Sequence, residues 1–133
     1  MIIKSFKNSE IKLILGKSFL KSLSESSLKD FPVSKDSKNL CLVKNCQIVS
    51  VILYRDIEPG LVEVDFIATH KDYERQGLAS RLLSSLKHEK IWLEVSENNK
   101  KAESFYSKLD FKVVGRRSRY YGHCDALLLE KEL

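Results

Sequence analysis

The sequence predicts a single-domain α/β fold, in which a mixed, mostly antiparallel sheet of about seven strands carries helices on both faces. Size and composition support one soluble globular domain, because the chain has 133 residues, of which 43% are hydrophobic and 31% are charged. Short alternating segments and helical periodicities follow one another without internal repeats or low-complexity linkers. No apolar run approaches the roughly 20 residues that a membrane span needs. We therefore expect residues 1–133 to form one domain.

The first predicted elements are a strand and a helix. Residues 2–6 are predicted to form the strand, and Ser9 is the predicted cap at the N-terminus of the helix. The polar residues 24–37 contain Pro32, which predicts either a short helix or a surface loop. The residues predicted to form the core face of the first helix are Ile11, Ile14, Leu15, Phe19 and Leu23.

A hairpin and a further strand come next. Residues 40–44 and 48–55 are predicted strands, and the Asn-Cys pair at 45–46 predicts a tight turn between them. The Pro-Gly pair at 59–60 marks the next turn. The alternating segment 61–69 is the strand that follows it.

The turn after this strand is the most informative part of the chain. Arg75, Gln76 and Gly77 lie between the strand and a helix start, where backbone N–H groups and the positive end of the helix dipole converge. Gly77 permits close approach of a ligand, and the small Ala79 keeps the helix start uncrowded. This pattern predicts a binding loop for an anion such as a diphosphate, with a plain connection as the alternative. The leucines predicted to face the core from the helix are Leu78, Leu82, Leu83 and Leu86.

A strand, a helix and two closing strands complete the predicted order. Residues 91–95 form the strand, and Asn98 or Asn99 caps the helix. The closing strands are residues 111–115 and 126–129. The inward face of the helix comprises Ala102, Phe105, Tyr106 and Leu109.

Glu94 and Tyr106 are candidates for proton transfer. In a strand–helix–strand unit the strand at 91–95 lies parallel to the strand at 61–69, so Glu94 could line the same crevice as the anion loop. A carboxylate base and a phenol acid suit acyl transfer to an amine. The alternative is that Glu94 faces outward from its strand and that Tyr106 fills core space beside Phe105.

The charge pattern leaves another alternative open. The net charge of +5 suits an anionic ligand or partner. Arg116, Arg117 and Arg119 adjoin Tyr120 and Tyr121, and aromatic residues beside arginines can stack nucleic-acid bases. No nucleic-acid module pattern surrounds them, so we expect no stable nucleic-acid complex.

The cysteines and the N-terminus point to an ordinary intracellular protein. Neither the cysteines nor the three histidines have metal-ligand spacing, so we expect reduced structural thiols and no metal site. The N-terminal residues lack the long apolar core of a signal peptide, which predicts a cytoplasmic protein. The three cysteines are Cys41, Cys46 and Cys124.

Several of these segments resemble the GNAT superfamily of acetyl-CoA-dependent N-acetyltransferases. They are Ile67-Ala-Thr, Tyr73-Glu-Arg-Gln-Gly-Leu-Ala, Trp92-Leu-Glu-Val, and Asn99 through Tyr106. Together with the late Tyr-Tyr followed by Asp-Ala, they look most like the RimI type, the ribosomal-protein-alanine N-acetyltransferases. The resemblance extends from about residue 61 to the end, roughly half of the chain.

The resemblance implies roles for matching residues. Glu94 would be the general base and Tyr106 the general acid. Main-chain groups at the end of the 61–69 strand would pair with the pantetheine arm, and the loop would bind the pyrophosphate of acetyl-CoA, the co-substrate. The implied cofactor-binding residues are Ile67, Ala68, Thr69, Arg75, Gln76, Gly77, Leu78, Ala79, Ser80 and Asn99.

The sequence also departs from the family pattern. Glu74 stands where Gln or Arg is usual, so we expect its side chain to point to solvent and the main-chain N–H groups to bind phosphate. Asp110 replaces the usual Gly before Phe111, at a position where the chain must turn left-handed. The N-terminal half, which shapes acceptor choice in this superfamily, resembles nothing closely.

The resemblance implies acetyl transfer to a primary amine. The first candidate acceptor is the N-terminal α-amine of a ribosomal protein, and the alternative is a small-molecule amine or a lysine. A different class of function is a non-catalytic module that binds CoA or RNA. We expect a monomer or a weak homodimer without membrane association.

Overall fold

The computed structural model describes residues 1–18, 34–86, 88–118 and 124–132. In this part of the chain, seven strands form one sheet in the order β1-β2-β3-β4-β5-β7-β6. None of the described helices is long and apolar enough to cross a membrane. The elements are β1 (Ile2–Lys4), α1 (Asn8–Ser18), β2 (Lys38–Lys44), β3 (Gln47–Glu58), β4 (Leu61–Thr69), α2 (Leu78–Ser84), β5 (Lys90–Ser96), α3 (Lys100–Lys108), β6 (Lys112–Arg117) and β7 (Ala126–Glu132).

The predicted mixed, mostly antiparallel sheet is confirmed. β4 and β5 are parallel, with Leu61–Val64 paired to residues 90–93. The pairs β1–β2, β2–β3, β5–β7 and β6–β7 are antiparallel. The chain forms two compact units, one of residues 1–55 and 65–87 and the other of residues 56–64 and 88–133.

The start of the first unit differs from the prediction at two places. β1 ends at Lys4 instead of residue 6, because the backbone of Phe6 bonds to the buried Asn39 side chain and not to the backbone of a neighbouring strand. The Asn39 side chain accepts from the Phe6 N–H at 2.9 Å and donates to the Phe6 carbonyl at 2.8 Å. The prediction of Ser9 as N-cap is wrong. Helix α1 begins at Asn8, because the Lys7 carbonyl already accepts the N–H groups of residues 10 and 11 at 3.0 Å.

The core face predicted for α1 is confirmed where it is described. Ile11 and Leu15 are completely buried, and Ile14 packs partly buried against the same cluster. Phe19 and Leu23 lie outside the described residues, as does the polar segment up to residue 33. The buried cluster of this unit consists of Ile11, Leu15, Cys41, Ile48, Val51 and Leu53.

The predicted hairpin turn between β2 and β3 is confirmed. Asn45 and Cys46 have φ values of 52° and 62°, the left-handed pair that matches the twist of the flanking strands. Both strands run further than predicted, over residues 38–44 and 47–58. Ser50 lies on β3 and is completely buried.

In the second unit, β5 has one buried face and one more accessible face. Ile91, Leu93 and Val95 are buried, and the alternate positions 92, 94 and 96 are more exposed. Helix α3 begins after Asn99, whose side-chain oxygen accepts the N–H of residue 102 at 3.1 Å. Asp110 adopts the expected left-handed conformation, with φ of 69°.

Candidate active site

The loop after β4 is held by backbone and side-chain contacts within the first unit. The N–H of His70 donates to the Val49 carbonyl at 2.8 Å, and its ring Nδ1 accepts from the Asp72 N–H at 3.1 Å. Arg75 and Gly77 then adopt left-handed conformations, with φ of 63° and 74°. These bends lead the chain into α2. The N-cap residue of this helix is Gly77, which has no side chain to cap the first turn.

This loop is exposed to solvent. Residues 74–77 are exposed, including Glu74 as expected, whereas Leu78 is buried and anchors the helix start. A Cβ placed on Gly77 would meet no atom within 4 Å. Gly77 is therefore favoured here by its positive φ and not by crowding. The residues present fit an anion-binding loop, because the backbone is both turned and accessible.

The end of β4 is fixed by Ser50, a residue that the sequence reading missed. The Ser50 hydroxyl donates to the Ala68 carbonyl at 3.2 Å and lies 3.0 Å from the Thr69 hydroxyl. The pairing between β4 and β5 covers only Leu61–Val64, so Ile67, Ala68 and Thr69 lie beyond it. The loop and the end of β4 are therefore both held by hydrogen bonds within the first unit.

Glu94 is held in the second unit by an ion pair. Its Oε1 lies 3.1 Å from Nη2 of Arg117, and its side chain is only 14% exposed. The carboxylate borders a cavity of about 200 Å³. Glu94 is therefore neither a core residue nor a solvated surface carboxylate. The residues that line the cavity are Glu63, Trp92, Leu93, Glu94, Val114, Arg117, Leu128 and Leu129.

Tyr106 lies on α3, and Asn99 caps the start of this helix in the same unit. The Tyr106 ring makes edge contacts with Phe105 and Phe111, with ring centroids 5.1 and 5.4 Å apart. Burial raises the pKa of Tyr106 to about 12, so the phenol keeps its proton at neutral pH. Asn99 is exposed, and its side-chain oxygen is occupied by helix capping.

The arginine cluster does not form one basic patch where it is described. Arg117 binds Glu94, whereas Arg116 donates to Glu97 at 2.6 Å and to Asp125 at 3.1 Å. Hydrogen bonds to Asp125 and Glu97 raise the pKa of Arg116 above its usual value. Both arginines therefore already have carboxylate partners, which weakens the nucleic-acid alternative. Arg119, Tyr120 and Tyr121 lie outside the described residues.

Comparison with solved structures shows the same fold in several acetyltransferases. The ribosomal-protein-S18-alanine N-acetyltransferase from Escherichia coli is 23% identical, with a TM-score of 0.72 over 98% of this chain and 92% of that one. A GNAT family acetyltransferase from Elizabethkingia anophelis with acetyl-CoA bound is 16% identical, with a TM-score of 0.75 over 99% and 97%. An aminoglycoside 6'-N-acetyltransferase complexed with coenzyme A is 16% identical, with a TM-score of 0.72 over 99% and 97%.

Sequence comparison gives the family directly. No curated protein matches this sequence closely. The sequence model of the Acetyltransferase (GNAT) domain, however, matches residues 3–133, which is nearly the whole chain. The sheet order and the open loop after β4 are consistent with that match. The chain therefore belongs to the GNAT family of acetyl-CoA-dependent acetyltransferases.

Proposed function

We propose that this enzyme acetylates the N-terminal α-amine of a protein, with a ribosomal protein as the first candidate, and that residues 1–133 act as one N-acetyltransferase domain. The observation that carries this proposal is the cavity beside Glu94. It holds about 200 Å³ and is walled largely by apolar groups, among them Val114 and Leu128. A small first residue of a peptide fits such a space, and the Glu94 carboxylate in its wall would receive the ammonium group.

The proposed chemistry assigns the proton transfers to two residues. Acetyl-CoA supplies a thioester, whose carbonyl carbon is attacked by the acceptor nitrogen. Glu94 accepts the proton that the ammonium must lose before the nitrogen can attack. Tyr106 donates a proton to the sulfur when the carbon–sulfur bond breaks, so that CoA leaves as a thiol, and the proton that the nitrogen loses on forming the amide restores the phenol. Its retained proton at neutral pH supports this role.

Within the first unit, cofactor binding is assigned to main-chain groups. Main-chain groups of residues 67–69 would bond to the pantetheine arm, and the loop at residues 75–80 would bind the pyrophosphate. The open backbone at Gly77 supports this assignment, since no atom beyond the two neighbouring residues of the chain lies within 4 Å of an added Cβ. The capping oxygen of Asn99 sets the start of α3, so its cofactor contact would have to use the side-chain NH₂.

A small-molecule amine is the second candidate acceptor, because an aminoglycoside acetyltransferase is among the similar structures. The aminoglycoside and ribosomal-protein enzymes align with the same TM-score of 0.72, so likeness of fold does not separate the two acceptors. The mainly apolar wall of the cavity supports the peptide over a sugar with several ammonium groups. A lysine side chain remains a further alternative within this class.

Two measurements test the proposal. Millimolar acetyl-CoA should raise the melting temperature, whereas a dephosphorylated analogue should raise it less. Acetylation should then be faster with a peptide that begins with alanine than with spermidine, kanamycin or an Nα-blocked lysine peptide. If kanamycin or the lysine peptide is acetylated faster, that amine is the preferred acceptor and the proposal of an N-terminal α-amine is wrong. Absence of any thermal shift would contradict cofactor binding at the loop.

A further inference from the structure

We propose that Arg117 is a positioning residue that orients the Glu94 carboxylate for proton transfer. This inference rests on the proposed function of Glu94 as general base. The contact joins Nη2 of Arg117 on β6 to Oε1 of Glu94 on β5, at 3.1 Å. These two strands are not neighbours, because β7 lies between them in the sheet. The arginine therefore reaches across a whole strand to make this contact.

The register of the three strands explains how the side chain can cross. Arg117 pairs with Ala126, and Ala126 pairs with Ser96. Two residues further along, in the next row on the same face of the sheet, Gly115 pairs with Leu128, and Leu128 pairs with Glu94. The guanidinium thus passes diagonally from one row to the next. The methyl group of Ala126 leaves space over β7 in the row where the crossing begins.

Gly115 supports the same arrangement in the second row. A Cβ at this position would lie 3.0 Å from a methyl carbon of Leu128, which is closer than nearly all real contacts of this kind. Without that Cβ, Leu128 keeps its place opposite Glu94 and lines the cavity. The row beside the carboxylate is therefore shaped by a glycine and the row of the arginine by an alanine.

The contact has a chemical consequence for Glu94. The ion pair with Arg117 is made at Oε1, so the proposal assigns Oε2 to take the proton of the acceptor. A guanidinium has no acceptor and stays protonated at all working pH values, so Arg117 cannot compete for that proton.

Arg116 supplies a matched control one residue away. It belongs to the same strand and carries the same charge, with its guanidinium bound to Glu97 and Asp125. The N–H of Asp125 also donates to Glu97 at 3.1 Å. Arg116, Glu97 and Asp125 therefore form one hydrogen-bonded group. Replacing Arg116 removes one arginine from β6 and leaves the contact between Arg117 and Glu94 in place.

The experiment is a double-mutant cycle in the full-length enzyme. Arg117→Ala, Arg116→Ala and Glu94→Gln are measured singly, and each arginine variant is also combined with Glu94→Gln. We expect Arg117→Ala to lower kcat roughly 10- to 100-fold with the KM for acetyl-CoA within about twofold of wild type. In the Glu94→Gln background it should cause almost no further loss. Arg117→Lys should restore part of kcat.

The outcomes separate this inference from the proposed function. If Glu94→Gln leaves kcat unchanged, the general-base role fails and the positioning role fails with it. If Glu94→Gln lowers kcat but Arg117→Ala does not, or lowers it equally in both backgrounds, only the positioning role is overturned. A rise in kcat for Arg117→Ala would overturn it as well. Arg116→Ala should change kcat by the same factor in both backgrounds. Should Arg117→Ala fail to fold by circular dichroism, Arg117→Gln takes its place in the cycle.

Discussion

Ser50 and Ala68 are joined by a hydrogen bond of 3.2 Å from the serine hydroxyl to the alanine carbonyl. Ser50 is completely buried on β3, and Ala68 is one residue from the end of β4. The same hydroxyl lies 3.0 Å from that of Thr69. A single buried side chain therefore fixes the last two residues of the strand that we propose binds the pantetheine arm.

The first prediction follows from this contact. Ser50→Ala should lower the free energy of unfolding by about 1 kcal/mol, because it removes one buried hydrogen bond. It should also weaken acetyl-CoA binding several-fold, since the end of β4 loses its support. Urea unfolding and isothermal titration calorimetry measure the two effects. Ser84→Ala, an exposed change on α2, is the control for both measurements. Unaltered affinity in a destabilised Ser50→Ala protein would limit Ser50 to a role in folding.

The loop is tested by two substitutions of Gly77. Any side chain costs stability here, roughly 1 kcal/mol, because φ is 74°. Gly77→Ala measures that cost alone, since nothing lies within 4 Å of its added Cβ. Gly77→Glu adds a carboxylate where the diphosphate is proposed to bind and should abolish acetyl-CoA binding. Affinity within a few-fold of the Gly77→Ala protein would show that the phosphates bind elsewhere.

Glu74 provides a separate test of the same loop by charge. Its side chain is exposed and lies three residues before Gly77. Glu74→Gln removes a negative charge near the proposed anion site, so acetyl-CoA affinity should stay the same or rise, most clearly at low ionic strength. Calorimetric titrations at two salt concentrations measure this change. A large loss of affinity would indicate that the Glu74 carboxylate itself takes part in binding.

The cysteines are predicted to differ sharply in reactivity. Cys41 is completely buried, and burial raises the pKa of its thiol to about 12 from a reference value of 9.0. At pH 8 the thiolate fraction of Cys41 is then roughly 10³-fold lower than that of an unperturbed thiol. Cys46 is exposed in the β2–β3 turn and should be alkylated first by iodoacetamide. Mass spectrometry of the partly labelled native protein gives the order in which the cysteines are alkylated. Early labelling of Cys41 would contradict its burial.

Local features of the fold were predictable from the sequence. The alternation and flanking turns of Leu61–Thr69 define the strand with its observed bounds. The turn at Asn45 and Cys46 was likewise predicted from short-range chemistry. The helix start at Ser9 was predicted wrongly, because a capping residue is recognised in sequence by its type. The first helical hydrogen bonds are accepted by the Lys7 carbonyl, a main-chain group that the sequence does not mark.

The environment of Glu94 was only partly predictable. Its place on a strand after the loop helix follows from local pattern, but its partner does not. Arg117 is 23 positions further along the chain and reaches Glu94 only because β7 inserts between β5 and β6. In the sequence, Arg116 and Arg117 belong to one arginine cluster. Pairing of the strands instead directs the two side chains to different carboxylates.

The last prediction separates proton transfer from binding. Tyr106→Phe should keep acetyl-CoA affinity and lower kcat roughly 10²–10⁴-fold. Because burial raises the pKa of Tyr106 to about 12, this acid stays protonated as the pH rises from 7 to about 10, and its ionisation should not reduce kcat in that range. A basic limb below pH 10 that disappears in the Phe variant would contradict this assignment. Glu94→Gln should instead recover activity as the pH approaches the pKa of the acceptor amine, since the amine then needs no base. Recovery beginning near pH ~8 would indicate an N-terminal amine, and recovery only above pH ~10 would indicate a lysine.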